Sequence, residues 1–179
     1  MGLIRVGEKM ISVERLFGLI EDMLRYRALG SSQVDVARKF NVDRSFVSRL
    51  ETLGEIRKGR SVALIGFPVA NTEEVQRLCQ NAGVDYCWVM TERERRDFAE
   101  NLTGVELVNQ IMRVAAELRT YDVVILLASN ARVRLMEALL DVRTVVPMIL
   151  GETPLLQDVH VKTDQLLELI DAIKLAGED

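Results

Sequence analysis

Residues 33–53, QVDVARKFNVDRSFVSRLETL, decide how the first third of the chain folds. Asn41 in the middle of this stretch is one of the few non-glycine residues that tolerate a left-handed backbone. Asp43 can then cap a second helix by accepting a hydrogen bond from the amide of Ser45 or Phe46. Apolar residues recur at helical spacing on both sides of this break: Val34, Val36, Ala37 and Phe40 before it, and Phe46, Val47, Leu50 and Leu53 after it. The stretch therefore predicts two short helices joined by a tight turn, which cross closely because Ala37 is small.

The run Arg44-Ser45-Phe46-Val47-Ser48-Arg49-Leu50, together with Gln33, Ala37 and Val42, resembles the DNA-binding unit of helix-turn-helix regulators of the Cro/repressor type. The resemblance covers about a third of the chain and differs at Asn41, because such turns usually carry glycine. In that family the outer face of the second helix reads base edges. By position, this implies that Gln33 contacts a phosphate and that the base-reading residues are Asp43, Arg44, Ser45, Ser48 and Arg49. The alternative is a helical hairpin that binds no nucleic acid, which the arginines and serines of the exposed face disfavour.

Charge is divided unevenly along the 179 residues. Residues 1–60 contain 12 lysines and arginines against 8 aspartates and glutamates, whereas residues 61–179 contain 11 against 19. A basic segment suits phosphate binding, and an acidic one does not. We therefore expect two domains: residues 1–60 bind double-stranded DNA, and residues 61–179 face away from it.

The segments around the paired helices complete the first domain. Residues 1–10 predict an arm or a short strand, and a helix that ends at Gly30 follows them. Its apolar stripe is expected to cover the paired helices; it consists of Val13, Leu16, Phe17, Ile20, Met23, Leu24 and Leu29. Residues 55–60, EIRKGR, predict a solvated linker or, alternatively, a small basic wing against phosphates. The expected first domain is an all-α unit.

From Ser61 onwards, short apolar runs alternate with helical patterns. The runs at 62–67, 86–90, 123–127 and 145–150 predict four strands, and the first of them is typical of a strand that is buried on both faces. Such alternation requires right-handed crossovers and a parallel sheet. We predict an α/β fold: a small three-layer domain of the Rossmann-like or flavodoxin-like kind with strand order 2-1-3-4. Pro147 indicates an edge strand, and residues 159–161 suit a short fifth strand.

The second domain is expected to form a homodimer, because one helix-turn-helix contacts too few base pairs to specify a single site in a genome. A helix that begins near Thr103 is predicted to turn one stripe inward: Val105, Val108, Ile111, Met112, Ala115 and Leu118. The segment 91–119 has further apolar residues for a twofold contact: Phe98, Leu102, Leu107 and Met112. The alternating Glu and Arg residues at 92–96 predict a solvated helix face rather than an anion site.

Ligands of such sheets bind beyond the carboxyl ends of the strands, where the strand order reverses. Here that point lies between the first and third strands, and helix starts there favour anions. The residues expected to hold a small anionic metabolite are Asn71, Thr72, Ser129, Asn130 and Arg132. The first loop has neither G-x-G-x-x-G nor a G-K-[ST] ending, and Pro68 removes one amide from any phosphate cradle. No nucleotide cofactor is therefore expected.

Catalytic groups are sparse in the sequence. Ser129 has no glycine elbow, and the single histidine, His160, suits an outward strand position. The cysteines, Cys79 and Cys87, form no CxxC pair and suit the core of a protein in a reducing compartment. No cluster has metal-ligand spacing, so we expect no catalytic residue, metal or cofactor. Without a signal peptide or a membrane-spanning run, the expected location is the cytoplasm.

These patterns favour a sequence-specific transcriptional regulator that acts as a homodimer, with a second domain for dimerisation and small-ligand sensing. The alternative is an architectural or partition-type DNA-binding protein whose second domain binds a protein partner. An enzyme with an appended DNA-binding unit is a weaker third hypothesis, because the sequence offers no base, nucleophile or metal set.

Overall fold

The computed structural model describes residues 2–55, 61–141 and 143–175. The chain divides into two compact units, Met1–Glu55 and Ile56–Asp179. The division falls in the segment predicted as a linker or basic wing, and residues 56–60 of that segment lie outside the described residues. The described residues contain eight helices, a two-stranded sheet and a four-stranded sheet, so the protein is mixed α/β.

The first unit begins with an antiparallel hairpin of β1 (Leu3–Val6) and β2 (Lys9–Ser12). Gly7 allows the turn between the strands because it adopts a φ of 59°. Three helices follow: α1 (Val13–Ala28), α2 (Gln33–Phe40) and α3 (Arg44–Gly54). The expectation of an all-α first unit is therefore wrong, because Leu3–Val6 and Lys9–Ser12 pair as strands.

The core of the first unit lies where the three helices meet. Its buried residues are Met23, Val36, Ala37 and Val47, and Tyr26, Phe40, Val42 and Leu50 pack against them. The contact of Ala37 with this cluster agrees with the close crossing that its size predicts.

Much of α1 lies outside this core, contrary to the predicted stripe. The exposed apolar residues of the unit include Leu16, Phe17, Leu24, Leu29, Val34, Phe46 and Leu53. The reason is length: α1 has 16 residues, about 24 Å, whereas α2 has 8 residues, about 12 Å, and covers only part of it. The hairpin also exposes Leu3, Ile4, Val6 and Met10.

The second unit contains four strands: β3 (Val62–Gly66), β4 (Tyr86–Val89), β5 (Val123–Ser129) and β6 (Val145–Gly151). They are all parallel and lie in the order β4-β3-β5-β6. This confirms the predicted order and the edge position of Pro147. The predicted fifth strand is wrong, since Val159 makes only an isolated bridge to Val69.

Helices lie on both faces of this sheet. They are α4 (Thr72–Asn81), α5 (Glu92–Glu100), α6 (Gly104–Leu118), α7 (Asn130–Leu139) and α8 (Thr163–Leu175). Alternate residues of the central strands enter two separate cores. Leu64 and Ile125 pack with residues of α4 and α8, whereas Ile65 and Leu126 pack with residues of α6 and α7. The unit therefore has three layers.

The two cysteines belong to the first of these cores. Cys79 is buried, Cys87 is half-buried, and neither forms a disulfide. A hydrogen bond with Cys87 together with burial raises the pKa of the Cys79 thiol, which therefore stays neutral. Both positions agree with the prediction of small core residues.

The helix α6 is much less buried than predicted. Val105 is 72%, Val108 59% and Met112 66% exposed, and Ile111 is also exposed. Among its residues only Leu118 is buried. Of the four residues expected to be left over for a dimer contact, Met112 is exposed, whereas Phe98, Leu102 and Leu107 are half-buried. The apolar face of α6, defined here as Val105, Val108 and Met112, is thus unpartnered within residues 2–55, 61–141 and 143–175 of the single chain.

Candidate functional site

The turn between α2 and α3 has the backbone that the sequence predicts. Asn41 is left-handed, with φ 53° and ψ 49°, and the amide of Val42 donates to the carbonyl of Ala37. The side chain of Asp43 makes no capping hydrogen bond, contrary to the prediction. The amides of Phe46 and Val47 donate instead to the backbone carbonyl of Asp43, so its carboxylate remains exposed.

The outer face of α3 carries polar and basic side chains. With 3.6 residues in a turn, Arg44, Ser45, Ser48 and Arg49 fall within about 140° of the helix circumference. Ser48 is half-buried and the other three are exposed. Val47 points the opposite way and is 1% exposed in the core. The structure therefore brings four of the six residues predicted to contact DNA together on one face, with Asp43 at its start.

The sixth residue, Gln33, connects the two helices. Its Nε2 donates to Glu51 Oε2 at 2.7 Å, and its Oε1 accepts from Arg44 Nε at 3.3 Å. Arg27 from α1 also donates to the carboxylate of Glu51 and to the carbonyl of Ser31. Hydrogen bonds from Arg27 and then Gln33 lower the pKa of Glu51. The Gln33 side chain thus orients Arg44 and ties α2 to α3.

Sequence reasoning missed Arg27 and Glu51 in this network. The two residues are 24 positions apart, and Gln33 and Glu51 are 18 apart. No local spacing connects positions so distant on different helices. The sequence pointed to this network only through an acidic residue on the half-buried side of α3. That residue alone does not identify Arg27 or Gln33 as its partners.

The backbone amides of the loop after β3 donate hydrogen bonds to other segments of the second unit. Phe67 N donates to Leu127 O, Val69 N to Met90 O and Ala70 N to Val159 O. Asn71 is clamped to the backbone of Val161, since its Nδ2 donates to that carbonyl at 3.0 Å and its Oδ1 accepts from that amide at 2.9 Å. The side chain of Asn71 therefore positions residues 159–161 rather than standing open beside Thr72, the first residue of α4.

The loop after β5 is bound by the segment that follows β6. Thr153 Oγ1 donates to Ser129 Oγ at 2.8 Å, and Ser129 is buried. Asn130 Oδ1 accepts from the amides of Thr153 and Ala131 at 3.1 and 2.8 Å. Residues 153–161 therefore hydrogen-bond to three of the five residues predicted to bind a metabolite.

The start of α5 contains a buried carboxylate that the sequence did not predict. Glu92 is 7% exposed and accepts two hydrogen bonds from Arg95, at 2.8 and 2.6 Å, and one from Arg96 at 3.0 Å. Asp158 accepts from the amide of Glu92 at 2.6 Å. The hydrogen bonds from Arg95 and Arg96 lower the pKa of Glu92 to about 2. The alternating charges of this helix are thus only partly a solvated face.

This carboxylate makes the stability of the second unit depend on pH. Because the pKa of Glu92 is lower in the folded state, its ionised form stabilises the fold above the ordinary pKa of 4.5. That contribution is lost as the pH falls from 4.5 towards 2. We expect the wild-type chain to lose more unfolding free energy between pH 5 and pH 3 than Glu92→Gln, as measured by urea unfolding. Glu100→Gln on the exposed end of α5 is the control and should follow the wild type.

A pocket of about 270 Å³ lies on the face of the sheet that α5, α6 and α7 cover. Its lining is mostly apolar and includes Ile65, Phe67, Trp88, Phe98, Val114 and Met136. Arg95 and Gln110 are its polar members. The guanidinium of Arg132 stacks over the Phe67 ring at 5.0 Å from the centroid. Arg132, one of the five predicted ligand residues, therefore lies beside a wall of this pocket.

In the described parts of the chain, no three His, Cys, Asp or Glu side chains are grouped closely enough to bind a metal ion. None of the helices in the described ranges is both long and apolar enough to span a membrane. The chain matches no protein-family model, no curated protein and no solved structure.

Proposed function

We propose that this protein is a sequence-specific DNA-binding transcriptional regulator that acts as a homodimer. In this proposal α2 and α3 form a helix-turn-helix of the Cro/repressor type that binds double-stranded DNA. The second unit is a Rossmann-like or flavodoxin-like domain that joins two copies and senses a small ligand. The observation that carries the proposal is the face of α3, where Arg44, Ser45, Ser48 and Arg49 lie together beside the left-handed turn at Asn41.

The chemistry of this face suits the edges of base pairs. An arginine can hold guanine through two acceptors in the major groove, and serine hydroxyls can donate or accept. The hydrogen bond from Arg44 to Gln33 supports a preset direction for one arginine. In this scheme Gln33 is a positioning residue, in addition to the phosphate contact that the resemblance implies. The carboxylate of Asp43 suits a cytosine amino group.

The charge distribution supports the same reading. The first 60 residues are basic and the remainder is acidic, so phosphate contacts fall to the first unit. The unpartnered face of α6 supports twofold association through the second unit, since exposed contiguous apolar surface often marks a protein contact. Two helix-turn-helix units related by a twofold axis would bind half-sites about 10 base pairs apart, or a multiple of that distance.

Substitution of Arg49 tests directly whether the polar face of α3 recognises base pairs. We expect Arg49→Ala to relax sequence preference at one base pair by about 1–3 kcal/mol, because a bidentate contact to guanine is lost. Binding to random DNA should weaken much less. The measurement is selection of bound sites from a random duplex library, followed by titration of the preferred and a mismatched duplex.

The matched control is Arg25→Ala, which removes the same charge from an exposed position on α1. It should leave the order of preferred sequences unchanged. Equal loss of specific and non-specific binding in Arg49→Ala would limit Arg49 to a phosphate contact. A wild-type chain that binds no duplex at low salt would overturn the proposal.

Mapping of bound DNA across the genome separates the regulator from the architectural alternative. A few discrete sites near promoters support the regulator. Broad coverage around one locus supports the architectural or partition-type protein, whose second unit would then bind a protein partner. Turnover of a metabolite would instead favour the enzyme, which the proposal excludes.

A further inference from the structure

The apolar pocket of the second unit is unusual because its lining is nearly all hydrocarbon while one end is basic. Trp88 and Phe98 form an edge-to-face pair in its wall, with ring centroids 5.6 Å apart. A volume of about 270 Å³ is close to the lower end of small-ligand pockets. An engineered dry cavity of about 150 Å³ binds benzene, so by proportion this pocket holds roughly ten heavy atoms.

Arg132 is not itself a lining residue, but its guanidinium stacks on Phe67, which lines the pocket, and it carries a hydrogen-bond donor without a partner. Nη1 of Arg132 is buried and makes no hydrogen bond, and it is the sole such side-chain atom in the described parts of the chain. A buried polar group without a hydrogen-bond partner destabilises the folded state. Burial, together with the nearby charge of Arg95, lowers the pKa of Arg132. A ligand oxygen at this point would relieve both effects.

The neighbouring acids do not neutralise this end. Glu92 is already bonded to Arg95 and Arg96, and Asp158 accepts from the amide of Glu92. Arg95, Arg96 and Arg132 carry three positive charges, whereas Glu92 and Asp158 carry two negative charges. The group therefore has one positive charge in excess. One further negative charge would balance the group.

We propose that this pocket binds a small apolar carboxylate of roughly ten heavy atoms in all. The carboxylate accepts from Arg132, a geometry that a planar guanidinium favours, and the body lies against Trp88 and Phe98. The site differs from the strand-end site predicted from the sequence and shares only Arg132 with it. Its identity as the sensing site rests on the proposed function, but the binding itself does not require DNA.

The position of α6 suggests how such a ligand would act. Leu107, Gln110 and Val114 of α6 line the pocket, and the same helix carries the exposed face of Val105, Val108 and Met112. A ligand shifts an equilibrium only when it binds one state better than the other. A carboxylate that seats α6 against the sheet would therefore change the strength of the proposed twofold contact.

The experiment uses the full chain without DNA and titrates octanoate and 4-phenylbutyrate by calorimetry. The comparison ligands are octanol, 4-phenylbutanol and inorganic phosphate. We expect at least one of the two acids to bind at least tenfold more tightly than its alcohol, and phosphate to bind no more tightly than the alcohols. Because no DNA is present, failure of the acids to bind does not contradict the proposed DNA binding. Failure of the chain to bind DNA likewise does not contradict binding of the acids.

Two variants locate the binding. Arg132→Gln should abolish the preference for the acid without loss of thermal stability, because it removes an unpartnered buried donor. Its control is Arg134→Gln, an exposed arginine on the same helix, which should bind as the wild type does. Ala115→Leu fills the pocket and should abolish binding of acid and alcohol alike. If that variant does not fold, Ala99→Leu, at a lining position on α5, replaces it.

Three outcomes would overturn the proposal. One is that neither acid binds at millimolar concentration. Another is that phosphate competes as well as the acids do, which would show a bare anion site. The third is that Arg132→Gln and the pocket-filling variant both bind the acids unchanged.

Discussion

Val47→Asp is expected to unfold the paired helices of the first unit. Val47 lies in a small core with Met23, Val36 and Ala37, and an isolated buried carboxylate costs several kcal/mol. A unit of some 55 residues buries only about 60% of the surface that its unfolded chain exposes, so its stability is marginal. The amides of α2 and α3 should therefore lose protection from hydrogen exchange, and DNA binding should disappear with it.

Ser45→Asp is the matched control, since it adds the same charge two residues earlier at an exposed position. In Ser45→Asp the amides of α2 and α3 should remain protected from hydrogen exchange. DNA binding should nevertheless be lost, because the new carboxylate is repelled by the DNA phosphates. The amides of β5 in the second unit serve as an internal reference and should stay protected in both variants. Protection of α2 and α3 in Val47→Asp would show that this core does not hold the helices together.

Val108→Glu is expected to convert the proposed dimer into a monomer. In a twofold contact the same surface meets itself, so each substitution brings two new carboxylates close together. Val108 lies between Val105 and Met112 on the exposed face of α6. A monomer lacks the helix-turn-helix of the second copy. Its affinity for a duplex with two half-sites should therefore be lower by a factor of about 10²–10⁴, the usual gain from linking two binding sites. Affinity for a single half-site should change little.

Sedimentation of the full chain at micromolar concentration, followed by duplex titration, checks both effects. Gln76→Glu on the exposed side of α4 adds the same charge away from this face and should remain dimeric. A wild-type chain that sediments as a monomer contradicts the dimer. A dimeric Val108→Glu would move the contact elsewhere, and the apolar surface of the hairpin and α1, which includes Leu3, Ile4 and Phe17, would be the next to test.

The strands and their order were predictable because a parallel strand buried on both faces needs an uninterrupted apolar run. Residues 62–67 and 123–127 have such runs and form the two central strands. Pro147 identified the edge strand because it cannot donate to a neighbour. These signals are local, and each depends on only a few adjacent residues.

The burial of the helices was less predictable. Helical spacing shows that Val105, Val108 and Met112 share one face, but it cannot show whether any other element covers that face. The same limit applies to Phe17 on α1, whose exposure follows from the short length of α2. The hairpin was missed as a pair because the strands have four residues each, too few to establish a period.

The candidate reading face was predictable because periodicity alone separates Arg44 and Arg49 from Val47. The role of Gln33 was not, since it depends on Glu51 from another helix. The bonds of Asn71 and Ser129 likewise depend on the path of residues 153–161, which no periodic pattern specifies. Contacts between distant segments therefore account for most of what the sequence did not predict about both candidate sites.

The two edges of the four-stranded sheet have a consequence for the behaviour of the protein at high concentration. An open edge strand is a template for fibrous aggregation, which natural proteins limit with short edge strands and with proline. Here β4 has only four residues, and β6 carries Pro147. Growth of the sheet from one molecule into the next is thereby hindered at both edges. In the proposed dimer the contact is made by helices instead, and a twofold contact closes on itself after two copies.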